Sequence, residues 1–227
     1  MITIFRASGS CPSWRVMFAL ELKGLAYDAP LLDISKQQHK TAEMLALNPR
    51  GKVPILKDGE FSLFESMAIV AYLDAKYPER KVLGRTPEET ALIWRLWSEC
   101  MCYLEPAVDK LCIPIYRGVA AEQADAVRAA ARDIAAQLAP FEERLTSSPW
   151  LVGEQPTSAD GAIVPQIGHL FRALEKPVAK TLDLELDPLH SRFPGIAAWW
   201  DRCRALPNFG RTYPPHWGPV PAPGVWG

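Results

Sequence analysis

Between residues 48 and 73 the chain runs Asn48-Pro49-Arg50-Gly51-Lys52-Val53-Pro54-Ile55-Leu56, then Asp58-Gly59, then Leu63-Phe64-Glu65-Ser66-Met67-Ala68-Ile69 and Tyr72-Leu73. This order specifies a turn, a Val-Pro bond, a hairpin around Asp58-Gly59 and a helix with an acid and a hydroxyl at its start. Val53-Pro54 ends a loop and opens a strand, and the bond is predicted to be cis. Such a bond turns the Val53 N–H and C=O off the ladder, free to pair with an extended peptide laid antiparallel along the sheet. At Glu65-Ser66 the helix start offers free N–H groups and a positive dipole end to a carboxylate, while Glu65 can pair with an ammonium. The amino-acid end of a peptide carries both charges.

Around this segment, the first 78 residues alternate strand and helix signals. Residues 2–5 form a short β-rich run, and residues 13–23 are helical and stop at Gly24. Residues 26–33 read as a second strand, placed at a sheet edge by Pro30. A short helix over residues 38–47 ends before Asn48-Pro49. Residues 52–57 and 60–63 make the hairpin, and residues 66–76 a helix closed by Tyr77-Pro78. The order βαβαββα predicts an α/β, thioredoxin-like layer of sheet covered by helices.

Residues 79–86 are polar and read as a linker; beyond them, over 87–206, the period is helical throughout. Ile93, Trp97, Met101, Leu104, Val108 and Leu111 form one stripe, and Val127, Ala131, Ile134, Leu138, Phe141 and Leu145 another. Pro140 is expected to bend the second helix. Thr157-Ser158-Ala159-Asp160 has the form of a capping box, and residues 196–206 form a last helix. Trp94, Trp97, Trp199 and Trp200 read as core or interface aromatics. The tail over 207–227 holds Pro214, Pro215, Pro219, Pro221 and Pro223 beside Trp217 and Trp226. It is expected to wrap the surface in extended form, pinned by its aromatics.

Bulk properties exclude several functions. The formal charge of 227 residues is −1, which gives no electrostatic case for nucleic acid. No apolar run is long enough for a membrane span, and residues 1–5 lack the form of a signal peptide. The five cysteines (Cys11, Cys100, Cys102, Cys112, Cys203) show no C-x-x-C spacing, and the four histidines (His39, His169, His190, His216) are scattered. Reduced thiols in a cytoplasmic protein without a metal site are therefore expected.

The run from Asn48 to Leu73 resembles the N-terminal domain of the cytosolic glutathione transferases, and the Thr157–Asp160 box resembles one in their all-helical second domain. The likeness spans residues 1–206. It implies a thioredoxin-like domain joined to a helical bundle that holds a second-substrate pocket, usually as a homodimer. It further implies glutathione as co-substrate, with its thiol activated and added to a small hydrophobic electrophile, a detoxification chemistry. Glutathione-dependent isomerisation or dehalogenation belongs to the same scheme. The segment Ser10-Cys11-Pro12-Ser13-Trp14-Arg15-Val16 is similar to the serine-type, theta- and zeta-like members, including bacterial ones. Ser10 falls on the catalytic serine, while Pro12 departs from the zeta pattern. Cys11-Pro12 also resembles members that use a cysteine, so Cys11 is the alternative; Ser8 and Ser13 are lesser ones. The resemblance further implies that His39 and Lys52 bind the glycine carboxylate, beside Val53, Pro54, Glu65 and Ser66. The second-substrate pocket is expected near residues 101–113 and Phe171.

A hydroxyl alone is a weak activator. Moving a thiol from about 8.5 to about 6.5 requires about 2.7 kcal/mol, and one hydrogen bond to a charged group supplies about 1.5–3 kcal/mol. The N-terminus of the first helix is expected to contribute as well. Two other readings remain open: a glutathione-dependent thiol reductase using Cys11, and a non-enzymatic scaffold of the same fold that docks partners through its proline-rich tail.

Overall fold

Ile2-Thr3-Ile4-Phe5 alternates buried and half-buried side chains, and this β1 (Ile2–Phe5) lies inside the sheet. The computed structural model describes residues 1–186 and 188–225. The chain forms two compact units, Met1–Arg85 with Pro207–Val220, and Thr86–Leu206 with the chain from Pro221 on.

In the first unit, α1 (Cys11–Lys23), β2 (Tyr27–Asp28), a 3-10 turn (Gln38–Lys40), α2 (Ala42–Leu47), β3 (Ile55–Asp58), β4 (Phe61–Phe64) and α3 (Ser66–Lys76) follow β1. The strand order is β2-β1-β3-β4. β1 runs parallel to β2, with Ile2 opposite Tyr27, and antiparallel to β3, with Phe5 opposite Ile55. β4 lies antiparallel to β3, with Ile55 opposite Phe64. The thioredoxin-like α/β reading holds.

Several boundaries differ from the sequence expectation. The second strand shrinks to Tyr27–Asp28 because Pro30 has no N–H to give a ladder. Only an isolated bridge between Arg6 and Leu31 continues the pairing. The helix expected over 38–47 breaks at Thr41, which has an extended backbone and caps α2 through its side-chain Oγ1, accepting from the Met44 N–H at 3.4 Å. The hairpin turn is Gly59-Glu60 rather than Asp58-Gly59: Asp58 pairs with Phe61, and Gly59 takes the positive φ of 63°. Asp58 is kept in the ladder by its carboxylate, which accepts from Lys76 at 2.7 Å, Tyr77 at 2.7 Å and Tyr72 at 3.1 Å. Lys23, buried in α1, donates to Asp74 and to the carbonyls of Tyr77 and Arg80, which fixes the start of the polar segment after α3.

The second unit is helical: α4 (Pro87–Glu99), a π turn (Cys100–Leu104), α5 (Glu105–Tyr116), α6 (Ala124–Ser147), α7 (Ser158–Leu174), α8 (Pro177–Lys180), α9 (Leu189–Arg192) and α10 (Pro194–Arg204). At the π turn Cys100 is buried where Met101 was expected and Met101 is only half-buried, while Ile93, Trp97, Leu104, Val108 and Leu111 are buried as the stripe requires. All six apolar positions of the α6 stripe are buried, and Pro140 is accommodated within one helical span. The capping box of α7 forms as expected. Asp160 is fully buried, and its two oxygens accept from the N–H groups of Thr157 (2.8 Å) and Leu151 (3.1 Å), the Thr157 hydroxyl (3.3 Å) and Trp199 Nε1 (2.8 Å). Burial pushes this carboxyl upward while the four donors pull it down.

The tail is not purely extended. It holds α11 (Phe209–Thr212) and a 3-10 turn (Pro215–Trp217), both within the first unit. Trp226, expected to help pin the tail, lies outside the described residues.

Two predictions follow from these carboxylates. Asp160→Ala strands four donors, two of them buried and two on the half-buried Thr157, and chemical denaturation should show a loss of about 3 kcal/mol or more. Asp58 is held below its ordinary value of 3.8, chiefly by the Lys76 hydrogen bond. Its contribution is therefore present above the unfolded-state value and lost as pH falls through the lower folded-state value. Below about pH 4 the unfolding midpoint of the wild type should fall more steeply than that of Asp58→Asn.

Candidate functional site

The sheet register gathers the site. Extending the Phe5–Ile55 and Ile55–Phe64 pairs by one or two residues brings the loop after β1, the Val53-Pro54 bond and the Glu65-Ser66 helix start to the same end of the sheet. Val53-Pro54 is cis, as the sequence predicts, and Val53 precedes the ladder that begins at Ile55. The loop ahead of it is set by Asn48, an Asx turn that local sequence could have signalled. Its carbonyl oxygen accepts from Arg50 N–H at 3.1 Å, and its amide donates to the Lys52 carbonyl at 2.8 Å.

The two carboxylate-binding candidates differ in setting. His39 is 8% exposed, and its Nδ1 is a buried atom without a hydrogen-bond partner among the described residues. Its 3-10 turn packs on Gly51, where an added Cβ would lie 3.3 Å from Lys40 Cγ and 3.8 Å from the His39 carbonyl oxygen. Lys52 is exposed beside Val53. Glu65 occupies the cap position of α3 with a positive φ of 71° and makes no side-chain cap bond. It faces Arg50 across 3.8 Å in an exposed ion pair. Ser66, expected to open the helix, is its first residue and is buried.

The loop between β1 and α1 carries the thiol-activating candidates. α1 begins at Cys11 rather than near residue 13, because Ser10 is its N-cap and Pro12 sits in its first turn, where no N–H is needed. Ser10 Oγ accepts from the Ser13 N–H at 3.3 Å and from the Ser13 hydroxyl at 3.0 Å. Both lone pairs of the Ser10 oxygen are thereby used, and its own hydrogen remains available to donate. Each donated bond polarises that O–H further. Cys11, a half-buried thiol outside any disulfide, opens the helix and meets the positive end of its dipole.

In the second unit a cavity of about 340 Å³ is bounded by Arg95, Glu99, Tyr103, Gln137, Phe141 and Arg144, among others. It shares only Tyr103 with the lining expected for a second-substrate pocket. Phe171 is buried, its ring 6.0 Å from that of Trp200. Among the described residues no cluster of three or more His, Cys, Asp or Glu side chains is placed to hold a metal. No helix among them is long and apolar enough to cross a membrane.

Family models for the N-terminal and C-terminal domains of glutathione S-transferase match residues 4–81 and 99–207. Glutathione S-transferase 3 of Zea mays is 30% identical over 206 residues, covering 87% of this chain and 86% of its own. The chain belongs to the glutathione S-transferase family. Glutathione S-transferase A of Pleuronectes platessa is 29% identical over 221 residues, covering 95% of this chain and 92% of its own. A glutathione S-transferase structure from the Antarctic clam Laternula elliptica shares the fold, with a TM-score of 0.80 at 24% identity over 98% of this chain and 96% of its own. Other relatives are plant F-type enzymes, such as F9 of Arabidopsis thaliana, 28% identical over 204 residues and covering 87% of this chain and 90% of its own. The family match therefore does not extend to the theta- or zeta-like subclass.

Ser10 caps α1 with its side-chain oxygen, and that task can be measured by itself. Ser10→Ala should cost about 1 kcal/mol in a denaturant titration of the ligand-free chain, whereas Ser10→Asp should retain the cap and most of that stability.

Proposed function

We propose that this chain is a serine-type glutathione transferase, which holds glutathione along the sheet margin and adds its sulfur to a small hydrophobic electrophile. The observation that carries the reading is the Ser10 hydroxyl, filled as an acceptor by Ser13 and left with a hydrogen to give. In this scheme the backbone of the tripeptide pairs with Val53, and its amino-acid end meets Glu65 and the first turn of α3. The glycine carboxylate lies toward His39 and Lys52, a role that the buried, unpartnered Nδ1 of His39 supports. The thiol gives its proton to solvent. The thiolate that remains accepts the Ser10 hydrogen bond, aided by the N-terminus of α1, and attacks an electrophilic carbon. The new C–S bond replaces the bond from that carbon to its leaving group, which departs with the electron pair as an anion, chloride in the case of a chlorodinitrobenzene. A cytoplasmic, homodimeric protein is part of the proposal, carried over from the family.

The alternative, a thiol reductase, rests on Cys11, a half-buried thiol at a helix N-terminus. The two readings predict opposite mutational outcomes. Removing one hydrogen bond to a thiolate costs about 1.5–3 kcal/mol. Ser10→Ala should therefore lower kcat/KM for glutathione with a chlorodinitrobenzene by about tenfold to a hundredfold, while Cys11→Ala stays within about twofold of wild type. The reverse pattern would establish the reductase, and calorimetry with glutathione that registers no heat would dismiss both.

A further inference from the structure

The tail brings one more side chain to the Ser10 loop. Its anchor is Trp14 in the first turns of α1, 1% exposed, whose Nε1 donates to Thr212 Oγ1 at 2.9 Å. The Thr212 hydroxyl donates onward to the Phe209 carbonyl at 2.8 Å. Around the Trp14 ring stand Tyr213 and Trp217, each with centroids at 5.6 Å, and Phe209 at 6.1 Å. Arg211 adds an ion pair to Glu21 at 3.0 Å and lies over the Tyr27 ring at 4.8 Å. A segment tied at this many points presents its next side chains in fixed positions.

One of those side chains is His216. Its Nδ1 shares a hydrogen bond with the Ser8 hydroxyl. Its ring also lies against Gly9, where an added Cβ would stand 3.1 Å from His216 Cε1. Gly9 has a φ of 76°, so both backbone conformation and the close approach of the ring require glycine there. The same turn is closed by the Ser10 N–H donating to the Ala7 carbonyl at 3.2 Å. On the sheet side Arg6, the residue before Ala7, is tied through backbone bonds to Pro30 and Leu32. The Ala7–Ser10 turn is therefore gripped between the sheet and the tail, and Ser10 sits at its end.

We propose that His216 is a positioning residue of the thiol site: through Ser8 and Gly9 it fixes the turn that aims the Ser10 hydroxyl at the sulfur. This inference deepens the transferase reading and rests on it. A hydroxyl hydrogen bond weakens steeply with misalignment, so a turn freed on one side costs thiolate stabilisation while the peptide-binding contacts at Val53 and Ser66 stay intact.

The test compares His216→Phe, which keeps a ring against Gly9 but cannot bond Ser8, with His216→Asn, whose side-chain polar atoms reach the position of Nδ1. Ser8→Ala and the double variant Ser8→Ala/His216→Phe complete the set. Readouts are kcat and KM for glutathione with a chlorodinitrobenzene, and the ultraviolet absorbance of bound glutathione thiolate against pH. His216→Phe and Ser8→Ala should each lower kcat about five- to twentyfold with KM for glutathione changed less than about twofold. Each should raise the pKa of the bound thiol by about half a unit to one unit. The double variant should be no worse than either single one, and His216→Asn should recover at least about half of kcat. Unchanged kcat and thiolate absorbance in His216→Phe, multiplying losses in the double variant, or no recovery in His216→Asn would each overturn the proposal. If the wild type binds no glutathione, the transferase reading fails, and amide exchange of the ligand-free chain decides the positioning claim. Gly9 and Ser10 should exchange about tenfold faster in His216→Phe, and unchanged rates would refute it.

Discussion

Ile55 stands between Phe5 and Phe64 in the sheet, and the site depends on that pairing. Side chains alternate along a strand, so a slip of one residue on either side would turn every partner to the opposite face. It would also move the three loop ends apart along the sheet: Ala7–Ser10 after β1, Val53-Pro54 before β3 and Glu65-Ser66 after β4. The register is secured from both faces. Ile4, Ile55 and Leu56 are buried at 0–1% exposure, and Asp58 at the far end of β3 accepts from three side chains of the α3 region. Apolar burial and a charged anchor select the same alignment, and the site geometry follows from it.

On this frame the role proposed for Ser10 joins two demands that usually compete. A helix N-cap spends its oxygen on backbone N–H groups, whereas a thiolate donor must keep its hydrogen for the ligand. The two are compatible here because Ser13 fills only acceptor capacity. In the proposed scheme that remaining hydrogen is given to the sulfur of the extended peptide.

Much of this was legible along the chain. The cis bond, the helix after Glu65-Ser66, the capping box at Thr157 and the α6 stripe are written in neighbouring residues, and each formed where local chemistry placed it. What escaped the sequence depended on distant partners or on small changes of period. The Asp58-Gly59 signal moved by one residue because Asp58 found Lys76, Tyr72 and Tyr77, none of which a turn rule can see. At one position of its stripe Met101 gave way to Cys100, within a π turn that leaves no Gly or Pro as a marker. The tail was legible as proline-rich and aromatic, but its short helical turns form against Trp14, about two hundred residues earlier in the chain.

That long-range closure bears on the order in which the protein is made. The first 85 residues emerge from the ribosome with Trp14 and Phe18 lacking the Phe209 and Tyr213 rings that complete their surroundings. Domains generally fold as units while synthesis proceeds, N-terminal ones first. In this chain the N-terminal unit must wait until Phe209 and Tyr213 have been made before its last aromatic layer can dock. A nascent or prematurely terminated chain would carry an exposed indole at its surface, the type of patch that chaperones bind and that mature chains conceal.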